Sequence, residues 1–140
     1  MSNGKPDLRL FIANARSDDE SELTRLKTAI EIAAIKAFPA KTVIVTLGRD
    51  DFFTHKDRLG SWEAWNRDVA TGIHPTTREP RFHGIVIPHD RFGAATAQIA
   101  QYAFGIGKPV LKWSAERGLT VAKSVVKVNE RDFKTGWRLG

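Results

Sequence analysis

Residues 83–112 read HGIVIPHDRFGAATAQIAQYAFGIGKPVLK, and this stretch decides the fold. Residues 83–88 (HGIVIP) form an apolar run with no alternation, the signature of a strand buried on both faces. The polar pair His89 and Asp90 interrupts it. Residues 93–106 then carry Ala94, Ala95, Ala97, Ala100 and Ala103, a small-residue helix able to lie close on a sheet. Gly107-Lys108-Pro109 ends that helix, because proline cannot continue it, and 110–113 returns to an apolar strand. A strand, a helix and a second buried strand make a parallel crossover unit.

The same alternation extends outward. Residues 8–13 (LRLFIA) read as a buried strand, 14–16 as a turn, and Ser17 with Glu20 has the spacing of a capping box. Asp18 and Asp19 add negative charge where the helix dipole favours it. Leu23, Leu26, Ile30, Ala33, Ala34 and Ala37 give that helix one apolar stripe, and Pro39 stops it. Residues 42–47 (TVIVTL) form a β-branched strand. The polar stretch 48–60 reads as a loop, Ser61 caps a short helix through Ala70, and 71–80 (TGIHPTTREP) is a loop by its glycine and prolines. Residues 120–128 supply a fifth, edge strand. The expectation is a doubly wound, mainly parallel α/β sheet with helices on both faces, Rossmann-like or flavodoxin-like, with residues 1–140 as a single domain.

Composition narrows the chemistry. The 140 residues contain no cysteine, which excludes disulfides, thiolate metal sites and cysteine nucleophiles. No apolar run approaches the ~20 residues of a membrane helix, and the N-terminus lacks a signal-peptide core, so a cytoplasmic protein is expected. The net charge is +6 and the pI about 9.9, favouring phosphate-bearing partners. Most of the excess lies beyond residue 107. There Lys108, Lys112, Arg117, Lys123, Lys127, Arg131, Lys134 and Arg138 outnumber Glu116, Glu130 and Asp132. The charges are spaced and accompany no nucleic-acid motif, so a solvated strand and tail is the plainer reading and nucleic acid a weakly supported partner. P-loop, GxGxxG, GxSxG and HExxH motifs are all missing.

Open parallel sheets bind ligands outside the carboxyl ends of their strands. That rule selects residues 14–17, 48–55, 89–96 and 113–115. Asp90 is the tentative catalytic residue, a sugar-hydroxyl acceptor or general base beside His89; the alternative is a helix cap or solvated pair. Gly93 opens a helix whose free N–H groups suit an anion, or it merely permits close packing. Thr96 and Gln98 follow in the first turns, where Gln98 can bond a base or sugar or simply face solvent. Asn14 ends the first strand. Asp50, with Asp51 and His55, lies beyond the second strand in a spacing that matches no metal motif, so no metal is expected. Trp62 and Trp65, at i and i+3, either stack on a base or pin a short helix to the core. His74 and His83 read as structural.

Residues 83–112 resemble the core of nucleoside 2-deoxyribosyltransferase-like proteins: a strand, an acidic Gly-containing loop, a helix opening on small residues, and Gly-Lys-Pro-Val before the next strand. Residues 10–14 (LFIAN) resemble that family's first strand. The resemblance covers most of residues 8–113 and implies a nucleoside or nucleotide ligand at the carboxyl edge, with no cofactor. It also implies a nucleophilic Glu two turns before the Gly-Lys pair. That position falls at Gln98 or Ile99, neither of which forms a glycosyl ester. The expected acid at the start of the third strand is likewise missing, with Arg81 and His83 flanking that point. The sequence therefore points to a nucleoside- or nucleotide-binding protein without the covalent transferase step. An active N-glycosidase or deoxyribosyltransferase, and a non-catalytic assembly protein, remain the alternatives. A small-molecule ligand, no membrane and a possible homo-oligomer complete the expectation.

Overall fold

A computed structural model describes residues 5–13, 19–129, 131–132 and 134–140. The element order is β1 (Asp7–Ile12), α1 (Glu20–Ala37), β2 (Thr42–Leu47), α2 (Gly48–Leu59), α3 (Trp62–Thr71), β3 (Gly84–Ile87), α4 (Ala94–Gly105), β4 (Val110–Ser114), β5 (Gly118–Val121), β6 (Val125–Lys127) and β7 (Trp137–Leu139). The central sheet has the order β2-β1-β3-β4-β5. β1, β2, β3 and β4 pair in parallel, and β5 turns back antiparallel on β4. This is the doubly wound α/β architecture, Rossmann-like, with the flavodoxin-type order of its strands.

Alternation along each strand divides the core into two layers, because successive side chains point to opposite faces. Leu10, Ile12, Val45, Leu47, Val86 and Leu111 meet Leu23, Ile30 and Ala34 of α1. Phe11, Ile85, Ile87 and Val110 face the other way, onto Trp65 and Val69 of α3 and Ala97, Ala100 and Ala103 of α4. Ala97, Ala100 and Ala103 of α4 are buried, so the small-residue helix does lie against the sheet, while Ala94 in its first turn is exposed. Ser61 caps α3 as expected, its hydroxyl accepting from the Ala64 N–H at 3.1 Å.

Two segments differ from the sequence reading. Residues 48–60 are helix α2, not a loop. Asp50 and Asp51 stand in its first turn and Lys56 and Arg58 in its last, both matching the helix dipole, and Gly60 ends it at φ 79°. Residues 120–128 are not one edge strand. β5 stops at Val121, and β6 pairs with β7 in a separate two-stranded sheet. Leu139 inserts into the α4 layer, with Val125 and Trp137 packed against it. That burial draws the chain away from β4. Asn14 and the Ser17 cap lie outside the described residues, and α1 begins at Glu20 with Asp19 as N-cap.

Candidate functional site

β1 sends its chain to β2 on one side, while β3 lies on the other, so strand order reverses between β1 and β3. At the carboxyl ends of that pair lies an open cleft of about 210 Å³. Its walls are Glu22, Leu23 and Leu26 from the first turns of α1, with Pro88 and His89 just beyond β3. Helical periodicity puts Glu22 and Leu26 on one side of α1, and they are one turn apart. The cleft thus has apolar walls with one carboxylate and one imidazole at its rim. The carboxyl-edge rule brought His89 forward from the sequence. Glu22, Leu23, Leu26 and Pro88 were missed there, because their signal is only that α1 follows β1 at the same edge.

The loop carrying His89 is anchored from the far side. Phe92 and Trp137 exchange backbone hydrogen bonds of 3.0 and 3.1 Å, and the Arg91 Nε donates to the Thr135 carbonyl at 2.8 Å. The C-terminal hairpin therefore fixes the approach to α4. Gly93 is the N-cap of α4; no side chain caps that end and no acid occupies its first turn. Thr96 is half-buried in the same turn.

The other residues brought forward from the sequence scatter. The Asp90 side chain is 88% exposed and pairs with Lys112 Nζ at 3.2 Å. Gln98 turns to α3, where its Oε1 accepts from Asn66 Nδ2 at 2.8 Å, and Ile99 is buried in the core. Trp65 is 6% exposed and its Nε1 donates to Asp51 Oδ2 at 2.9 Å. Trp62 is 45% exposed, with its ring centroid 5.3 Å from Phe52 and 6.4 Å from Trp65. Both rings belong to the α2–α3 side, across the sheet from Leu23. Asp50 is exposed on α2. His83 and His74 are structural acceptors, of the Arg9 N–H at 2.9 Å and of the Thr76 N–H at 3.1 Å. Burial also lowers the His83 pKa.

A second polar group joins Asp51, His55 and Arg81, which the sequence reading named separately, to Asp68, which it did not name. Arg81, 8% exposed, grips Asp51 with two hydrogen bonds of 2.8 and 2.9 Å, and its Nε stands 2.7 Å from Asp68 Oδ2. His55 Nε2 approaches Asp51 at 3.6 Å, and Arg58 reaches Asp68 at 3.6 Å. The two acids that hold Arg81 come from different helices, Asp51 from α2 and Asp68 from α3. The Asp51 carboxylate is thereby committed to Arg81 and Trp65. Lys108 is buried nearby, and its Nζ has no hydrogen-bond partner among the described residues. Burial, reinforced by the charge of Arg81, pushes its pKa down to about 8.

No protein-family model, curated protein or solved structure matches the chain. Among the described residues, no helix is long and apolar enough to cross a membrane.

Proposed function

We propose that this chain binds a nucleoside or nucleotide at the carboxyl edge of its sheet and lacks a covalent glycosyl-transfer step. The observation that carries the reading is the cleft of about 210 Å³ at the strand-order reversal, with Glu22 and His89 at its rim. Ligand sites commonly enclose ~300–1,000 Å³, so a cleft of this size suits one ring, a base or a sugar, rather than a whole nucleotide. Leu23, Leu26 and Pro88 offer apolar surface to such a ring. Glu22 supplies an acceptor for its polar edge and His89 an imidazole whose ring nitrogens include a donor. A phosphate on the same ligand would lie toward Gly93, where α4 presents uncapped N–H groups. The resemblance of residues 83–112 to nucleoside 2-deoxyribosyltransferase-like proteins supports the ligand class. Gln98 and Ile99 at the nucleophile position support binding without covalent catalysis, and the exposed Asp90 remains the one acid on the loop for a general-base role. The base rests on the α1 side in this reading, so neither Trp62 nor Trp65 is asked to stack on it.

Calorimetry with purine and pyrimidine nucleoside monophosphates tests the reading. Heat of binding is expected with at least one of them. His89→Ala and Leu26→Trp, the latter filling the cleft, should each weaken it at least tenfold, and Gly93→Asp should selectively weaken the phosphorylated ligand. No heat at millimolar ligand, or unchanged affinity in both cleft variants, overturns the site. A glycosyl adduct trapped on the protein with deoxynucleosides, seen by mass spectrometry, overturns the non-covalent assignment.

A further inference from the structure

We infer that β2 is a self-pairing edge, through which two copies of this chain join into one continuous sheet about a two-fold axis at Ile44. β2 lies at the end of the strand order, and among the described residues no strand pairs with its outer side. Backbone parity shows what that side offers. The Thr42 N–H donates inward to the Pro6 carbonyl, while the Arg9 and Ala13 N–H groups on β1 point the other way, toward His83 and Val86. With the unbroken parallel register of β1 and β2, the groups of Thr42, Ile44 and Thr46 face β1. Those of Val43 and Val45 face out.

The sequence Thr42-Val43-Ile44-Val45-Thr46 is a palindrome. Antiparallel pairing centred on Ile44 sets Val43 opposite the partner's Val45, and each such pair exchanges both of its outward backbone bonds. Ile44 meets its own twin at the non-hydrogen-bonded position, where side chains approach most closely. Its side chain points away from α1 and is 40% exposed, so the pairing covers it. No proline or charge lies within the strand to block the approach. Antiparallel pairing also keeps the two Lys41 residues at opposite ends of the ribbon, whereas a parallel pair would set them side by side. The other edge is shorter. β5 spans only the four residues Gly118–Val121 against the six of β2, and a short edge strand offers a partner fewer backbone groups to pair with.

The chain has no cysteine, which makes the test direct. Under mild oxidation Ile44→Cys should give a disulfide-linked dimer, since opposed residues at such a position lie about 4.5 Å apart at Cα. Val121→Cys, on the β5 edge, should stay monomeric under the same conditions. By sedimentation the wild-type chain should show a monomer–dimer equilibrium, and Ile44→Lys should raise its dissociation constant at least tenfold with unchanged circular dichroism. A wild-type chain that stays monomeric at several hundred micromolar overturns the proposal. So does association insensitive to Ile44→Lys, cross-linking at Val121→Cys in place of Ile44→Cys, or growth into open higher assemblies.

Discussion

The two faces of the sheet solve the same burial problem with different chemistry. On the α1 face the buried residues, among them Leu10, Ile12, Ile30, Val45 and Val86, are all aliphatic, with Phe38 and Trp113 only partly buried at the margin. On the α2–α4 face, aromatic rings surround a buried ionic group. Phe11 packs edge-on to Trp65 at 5.8 Å and against Phe82 at 5.2 Å, and Trp65 in turn donates to Asp51, which Arg81 holds. The aliphatic layer tolerates small changes of shape at a graded cost, because dispersion and hydration terms scale with the area lost. The ionic layer is all-or-none. Its charges are tolerable inside only while each keeps its partner. The lesson is that α2, polar enough to read as a loop, is attached to the core by one carboxylate as much as by Phe52.

Breaking that group should give the largest effect. Asp51→Ala leaves Arg81 with half its charge partners and Trp65 without an acceptor, at an expected cost of about 3–5 kcal/mol in urea unfolding. A loss under about 1 kcal/mol would show that the network is solvated and that the two faces do not differ. Ile30→Ala, in the aliphatic layer, should cost about 2–4 kcal/mol by cavity formation, with no dependence on pH between 5 and 10.

Lys108 sharpens the contrast with the opposite sign. Its pKa of about 8 against an ordinary 10.5 means that folding disfavours the ammonium. The unfolded chain therefore binds more protons between those values, and stability from this group rises with pH across that window. Below about pH 8 the destabilisation is fully present. Lys108→Met should thus stabilise the protein by about 1–3 kcal/mol at pH 7, and the gain should vanish by pH 10.5. Thermal melts at the two pH values check this; a destabilised variant at pH 7 would mean that the ammonium has a partner in solution. The smallest effect belongs to the solvent side of α1. Ile35→Lys, at a site 57% exposed, should shift stability by no more than about 0.5 kcal/mol.

Much of this architecture was legible in the chain. Residues 42–47 match β2 at both ends, and β1, β3 and β4 fall within two residues of the expected bounds, because unbroken apolar runs between prolines and glycines leave few alternatives. Helix α2 also left a signal, acids first, bases last and glycine after, but its low apolar content hid it. The cleft was half legible: the carboxyl-edge rule found His89, whereas Glu22 and Leu26 needed the angle at which α1 leaves the sheet.

By itself the sequence determined the parallel sheet, the two-sided covering by helices and the lack of a carboxylate at Gln98 and Ile99. These follow from local periodicity and residue identity, which operate over a few residues. Tertiary structure alone decided that Trp65 and Gln98 turn inward to Asp51 and Asn66, that Arg81 draws acids from two helices, and that the last strands leave the main sheet. Arg81 and Asp51 are thirty residues apart. No local pattern encodes such a pair, because a buried charge finds its partner only when packing has excluded water from both.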